Sequence, residues 1–183
     1  MNGRKLQLLV SVFAISTLVL AGCCPKQGFE TLTEENFKTL LTVEDVEGVL
    51  LAQVPLTTEF YDYKEMAESV DPEQVADIDS FYGLSFQTDD GMKAITLAAI
   101  DFDSQASAQN HFENVTQGMH VMDPPLGDAS AEVELNAQGI GSMVVFIKGD
   151  KVIQLHTGQP DGEQALTDLE GLENLAEIVA QKL

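Results

Sequence analysis

The sequence predicts an α+β fold: one antiparallel sheet of five or six strands packed against amphipathic helices. Three observations lead there. Asp89-Asp90-Gly91 joins two strand-like runs and Gly149-Asp150 joins two more, so neighbouring strands pair as hairpins. Apolar residues recur at helical spacing in Ala108, Phe112, Val115 and Met119, and again in Leu172, Leu175, Ala176, Val179 and Leu183. The stretch 93–102, KAITLAAIDF, is apolar on both faces, which places it centrally in the sheet.

The elements follow in order. Thr31-Leu32-Thr33-Glu34 has the form of a capping box, a hydroxyl answered by a carboxylate three residues on, and Phe37, Leu40 and Leu41 continue it at helical spacing. Thr42 opens a second helix with Glu44, Asp45 and Glu47 near its positive end and Val43, Val46, Val49 and Leu50 on its apolar side; Gly48 weakens it and Pro55 ends it. Residues 56–70 read either as a strand around 60–63 or as part of a helix reaching Val70. Asp71-Pro72-Glu73 starts a short helix to about Ile78, with proline at its first position. The first hairpin comprises strands 81–88 and 93–102. Ser104 caps the next helix, and Pro124-Pro125 and Gly127-Asp128 break the chain after it. Strands are expected at 131–135, 142–148 and 151–157. Thr167-Asp168-Leu169-Glu170 is a second capping box, and the closing helix carries acids in its first turns and Lys182 in its last.

The N-terminus supplies the address. Arg4 and Lys5 precede an uncharged run, 6–20, that ends in Leu20-Ala21-Gly22-Cys23. A basic start, a short apolar stretch and small residues before a cut describe a secretory signal peptide, and the run is shorter than the roughly 20 apolar residues of a spanning helix. Leu-Ala-Gly-Cys resembles the lipobox of bacterial and some archaeal lipoproteins, and the resemblance covers residues 1–23. It implies cleavage before Cys23, a diacylglyceryl thioether on that thiol and, in many bacteria, an acylated amino group. Each buried methylene contributes about 0.8 kcal/mol, so two or three chains anchor stably where one does not. The expected organisation is a signal peptide over 1–22, a lipidated tether over 23–30 and one extracytoplasmic domain over 31–183. The location is the cell membrane or outer membrane, facing away from the cytoplasm. Between the lipid and the first helix signal the tether reaches about 25 Å at full extension. Cys24, the other cysteine, has no intrachain partner once Cys23 is modified.

From Gly127-Asp128-Ala129 through VVFIKGDKVIQL to the closing helix, the pattern resembles domains of many bacterial lipoproteins. It is also loosely similar to the Mog1/PsbP-type α/β/α sandwich. That resemblance covers about the last hundred residues and carries no site residues across.

Charge narrows the partners. The chain holds 30 Asp and Glu against 9 Lys and Arg. Beyond residue 22 the basic residues are seven lysines and no arginine, a balance of −23. Nucleic acid is excluded as a partner, because phosphate contacts need clustered Lys and Arg. An acidic body suits solubility or a saline habitat, and it attracts a cationic partner.

No catalytic, cofactor-binding or metal-binding residue is expected from the motifs of this chain. His111, His120 and His156 lack partners at metal-ligand spacing, although sheet topology leaves open a meeting of His111 with His156. Asp101-Phe102-Asp103 starts like a calcium loop, but Ala106 and Phe112 stand where that register needs Gly and Glu. Asp89-Asp90 and Asp161-Gly162-Glu163 read as turns. No nucleophile elbow, P-loop or dinucleotide glycine pattern occurs. Phe60, Tyr61, Tyr63, Phe81 and Tyr82 gather all three tyrosines near the first hairpin; they either fill the core or line a pocket. The expectation is a non-enzymatic protein-interaction domain that meets another envelope protein. The alternative is a module binding a small molecule or cation, with Tyr61, Tyr63 and Tyr82 or the acidic turns as its site.

Overall fold

The structure, a computed structural model, describes residues 31–68, 75–137 and 140–183. The signal peptide, Cys23, Cys24 and the tether lie outside them, as does the start of the helix expected at Asp71. The chain runs α1 (Glu34–Phe37), α2 (Val43–Glu47), β1 (Leu56–Asp62), α3 (Tyr63–Glu68), β2 (Ile78–Thr88), β3 (Ala94–Phe102), α4 (Gln105–Val115), β4 (His120–Val121), β5 (Ala129–Ala137), β6 (Ile140–Lys148), β7 (Lys151–Gly158) and α5 (Leu169–Lys182). The fold is α+β around one antiparallel sheet. That sheet has seven strands rather than five or six, in the order β1-β2-β3-β7-β6-β5-β4. Residues 56–68 take up both alternatives, a strand followed by a short helix, and Val70 lies outside the described residues. The unforeseen strand is β4, two exposed residues with no periodicity to read.

Both hairpins form where the turns place them. Gly91 and Gly149 take φ of 67° and 66°, the left-handed backbone that a Cβ disfavours. Strand β3 lies between β2 and β7 and is buried at almost every position, as its apolar run requires.

Helix starts follow side-chain capping. Thr42 Oγ1 accepts the Asp45 N–H while the Asp45 carboxylate accepts from the Thr42 N–H, so two orphan donors are satisfied reciprocally. The first capping box sits two residues later than expected: Thr33 and Asn36 make it, and Thr31 does not. Helix α2 stops at Gly48, well before Pro55. The N-cap of α5 is Asp168, which accepts the Gly171 N–H, whereas the Thr167 hydroxyl donates to Val49 O at 2.7 Å and ties two loops together. Met119 falls beyond the end of α4. The helix expected to reach Ile78 gives way there to β2, which begins at that residue.

Helices cover both faces of the sheet. On the first face α1, α2 and α5 close over Leu84, Phe86, Ile95, Leu97, Val144, Phe146, Ile153 and Leu155. The stripe Leu172, Leu175, Ala176 and Val179 of α5 is buried in that layer. On the second face α4 lays Ala108 and Phe112 over Ile100, Phe102, Val145, Ile147 and Val152. These residues gather toward one end of the strands, because α4 leaves β3 at Phe102 and turns straight back.

Candidate functional site

Period-two alternation splits the aromatic cluster. Phe60 and Tyr82 point to the first face, where they meet Phe37 of α1 in a triad with ring centroids 5.6–6.2 Å apart. Tyr61, Tyr63 and Phe81 belong to the second face: Tyr61 stacks on Tyr63 at 5.5 Å, and Tyr63 leans on Phe81 at 4.9 Å. Gly83 makes room for Tyr63, since a Cβ there would stand 2.4 Å from the ring. The tyrosines therefore form no single pocket. Donation to Glu59, and burial after it, push the Tyr61 hydroxyl up to about 12, so it stays a neutral donor. Burial raises Tyr63 and Tyr82 as well.

The histidines are equally dispersed. His111 packs its ring on Phe102 at 5.2 Å, and burial lowers its pKa despite nearby Asp77. His156 pairs across β3 with Thr96, six residues along that strand from Phe102, or about 20 Å. The two do not meet. His156 is half-buried with its pKa lowered by burial, and its Nδ1 has no hydrogen-bond partner. His120, on the outermost strand, stands 3.4 Å from Glu132 through Nδ1. Among the described residues no three His, Cys, Asp or Glu are placed to hold a metal ion.

The acidic turns behave as turns. Asp90 Oδ1 accepts from Thr88 Oγ1 at 2.6 Å and from the Met92 N–H at 3.0 Å. Glu163 pairs with Lys93 at 3.1 Å. Two acidic features escape sequence reading because each needs a partner distant in the chain. Asp101 and Lys151, direct neighbours across β3 and β7, form a buried ion pair at 2.9 Å. The second Asp101 oxygen accepts the Leu32 N–H at 2.7 Å, and Lys151 also reaches Asp150 at 2.7 Å. Burial still raises the Asp101 pKa. On the other flank Glu173 of α5 shares a hydrogen bond with Glu132 of β5. Burial first, then that bond and the charges of Glu132, Glu170 and Glu177, push Glu173 up to about 7.

Two concavities are lined by described residues. A cleft of about 440 Å³ lies at the tip of the first hairpin, between it and the loops before β1 and α5. Leu51 and Met92, 48% and 55% exposed, stand on it, and Asp90, Lys93 and Glu163 supply its charge. The second, about 480 Å³, is a groove along β1. Thr58 and Phe60 of the strand, Leu84 and Phe86 of β2, and Lys38 and Val43 from the helical layer form its walls. Lys38 Nζ sits 4.1 Å from the centre of the Phe60 ring and pairs with Glu34. The groove thus combines an apolar floor with an edge strand that has no strand partner on its outer side among the described residues. Nothing in the spacing of 56–62 shows that it is an edge, so this site was hidden from sequence reading.

No family model matches the chain, and no curated protein matches it. Among solved structures it is similar to the crystal structure of the extracellular domain of PknH from Mycobacterium tuberculosis. The identity is 12% and the TM-score 0.50, over 85% of this chain and 98% of that one, a likeness of fold. No helix among the described residues is long and apolar enough to cross a membrane.

Proposed function

We propose that the chain is a lipid-anchored extracytoplasmic domain that works by holding another protein of the envelope, not by catalysis. The observation that carries this reading is the groove along β1, where an apolar floor adjoins main-chain donors and acceptors that no described strand uses. Protein recognition by a sheet edge uses those two elements together. The signal and lipobox pattern at Leu20-Ala21-Gly22-Cys23 supports the address, and a fold shared with an extracellular domain suits it. Two or three acyl chains hold the domain at the bilayer, while its acidic surface is repelled by anionic headgroups and stays turned outward.

The test is crosslinking in intact membranes followed by recovery of the full-length chain. A partner recovered in every replicate supports the reading, and its absence overturns it. Intact mass tests the anchor separately. A chain that starts at Cys23 with added acyl mass is expected; one that retains Met1, or starts at Cys23 without lipid, removes the anchor.

A second reading, a module for a small apolar molecule, is favoured by the exposed Leu51 and Met92 on the hairpin-tip cleft. Selective binding to the native state must raise the melting temperature. A thermal-shift screen of small apolar molecules that yields no stabilisation removes this second reading.

A further inference from the structure

We propose that strand β1 accepts an extended, basic-flanked peptide segment as an eighth strand of the sheet, with an apolar side chain of that segment seated in the groove. This rests on the interaction reading above and names the partner's chemistry.

The two ends of the sheet differ in how they are guarded. Natural edge strands are kept short, charged with lysine, broken by bulges or stopped by proline, because a bare edge is a template for another chain. The β4 edge follows that practice: β4 has two residues, paired with Ala131 and Glu132 of the longer, acid-bearing β5, and Pro124 and Pro125 come just after it. Strand β1 does not. Its seven residues, LTTEFYD, contain no lysine and no proline. They pair with β2 without a register shift from Leu56↔Thr88 to Asp62↔Tyr82. In an antiparallel ladder alternate residues turn both N–H and C=O outward, so β1 presents a straight row of groups able to pair.

The groove supplies what main-chain pairing lacks, a choice of side chain. Thr58 and Phe60 share its face, and an added strand about 4.8 Å beyond β1 directs every second side chain to that same face. Thr58 is small and exposed, so an apolar side chain reaches over it toward Phe86 and Leu84. The flanks are set by charge. Glu44 adjoins Val43, Asp62 ends β1, and Glu34 already draws Lys38 to itself, while Glu59 stands on the opposite face of the strand beside Tyr61. On a chain with 30 acids against 9 bases, lysine or arginine at the ends of the incoming segment is attracted and acid is repelled.

The test uses the full-length chain in detergent and a labelled probe, Lys-Thr-Leu-Thr-Val-Thr-Lys, beside the same peptide ended with Glu. The lysine-ended probe is expected to bind at least about tenfold more tightly at low salt. Binding should slow amide exchange at every second residue of β1, a pattern that strand addition alone produces. Thr58→Lys, which installs an edge guard without touching the core, should weaken binding by at least about tenfold. Thr57→Pro and Thr58→Pro form a pair of which one removes an outward N–H; whichever keeps the native circular dichroism should bind less than the parent. Equal binding of the two probes, no alternation in exchange, or full binding by Thr58→Lys overturns the inference. So does a concentration-dependent dimer that Thr58→Lys dissolves while neither probe binds, because the occupant is then a second copy. So does probe binding that appears only when residues 23–30 are deleted, because the chain's own tether then fills the edge. A membrane partner that still crosslinks to Thr58→Lys leaves the interaction reading standing and removes only this one.

Discussion

The two faces of the sheet are built to different standards. The first is sealed by α1, α2 and α5, and the largest fully buried side chains among the described residues, such as Phe37, Phe86 and Phe146, lie in it. Its two buried charges, Lys151 and Asp101, are paired with each other, and Asp101 also accepts the Leu32 N–H. The second face has α4 over one end of β3, β7 and β6, and the short α3 with Tyr63 against Phe81 of β2. Beyond α4 that face carries Ser85, Thr96, Gln154 and His156, small or polar side chains of which the last three are only partly buried. Stability therefore resides unevenly: the first face carries the fold, and the second tolerates change.

Breaking the ion pair tests this most severely. Lys151→Met leaves the Asp101 carboxylate buried without its cation, and a loss of about 3–5 kcal/mol is expected in urea unfolding. A loss under 1 kcal/mol would mean that water reaches Asp101. Next comes a matched pair of truncations. Leu172→Ala, on the sealed face, should cost about 3 kcal/mol. Gln154→Ala, on the open part of the second face, should stay within about 0.5 kcal/mol. Equal costs would erase the contrast.

Gly83→Ala sharpens the view of the second face. Its new Cβ meets the Tyr63 ring, so the Tyr61–Tyr63 stack must shift, at about 1–2 kcal/mol. Near-ultraviolet circular dichroism should change with it, and an unchanged tyrosine signal would show that the stack is not held by this cradle.

The smallest effects are those of pH, and they run in opposite directions on the two faces. Glu173 has its pKa raised from 4.5 to about 7, so the folded state binds the proton more tightly than the unfolded one. Its contribution is complete below about 4.5 and is lost as pH rises through 7. Glu173→Gln has no such carboxyl to ionise and should melt about 3 °C above the parent at pH 8, with little difference at pH 4. His156 lies the other way. Burial lowers its pKa from 6.5, so its contribution is present above 6.5 and is lost as pH falls below it. His156→Gln should flatten the acid side of the melting curve. Identical slopes for parent and variant on either side would show that the residue titrates as it does unfolded.

Much of the architecture is legible because its causes are local. The Thr42–Asp45 capping box, the Ser104 cap, the Gly91 and Gly149 turns and the α5 stripe each depend on residues within a few positions of one another. The candidate site is not local. Phe60 and Tyr61 are neighbours in the chain, yet alternation sends them to opposite faces, so a cluster in sequence becomes two packing groups in space. The groove along β1 joins Lys38, Thr58 and Phe86, drawn from three elements.

By itself the sequence determined an acidic α+β protein with hairpin-paired strands, amphipathic helices and a lipobox-like N-terminus, because charge, periodicity and turn chemistry are properties of short stretches. Only the tertiary structure decided that the strands number seven, that Asp101 faces Lys151 and that β1 lies at an open edge. Strand order is a choice among long-range pairings whose hydrogen bonds are chemically alike, and packing of the whole chain selects among them.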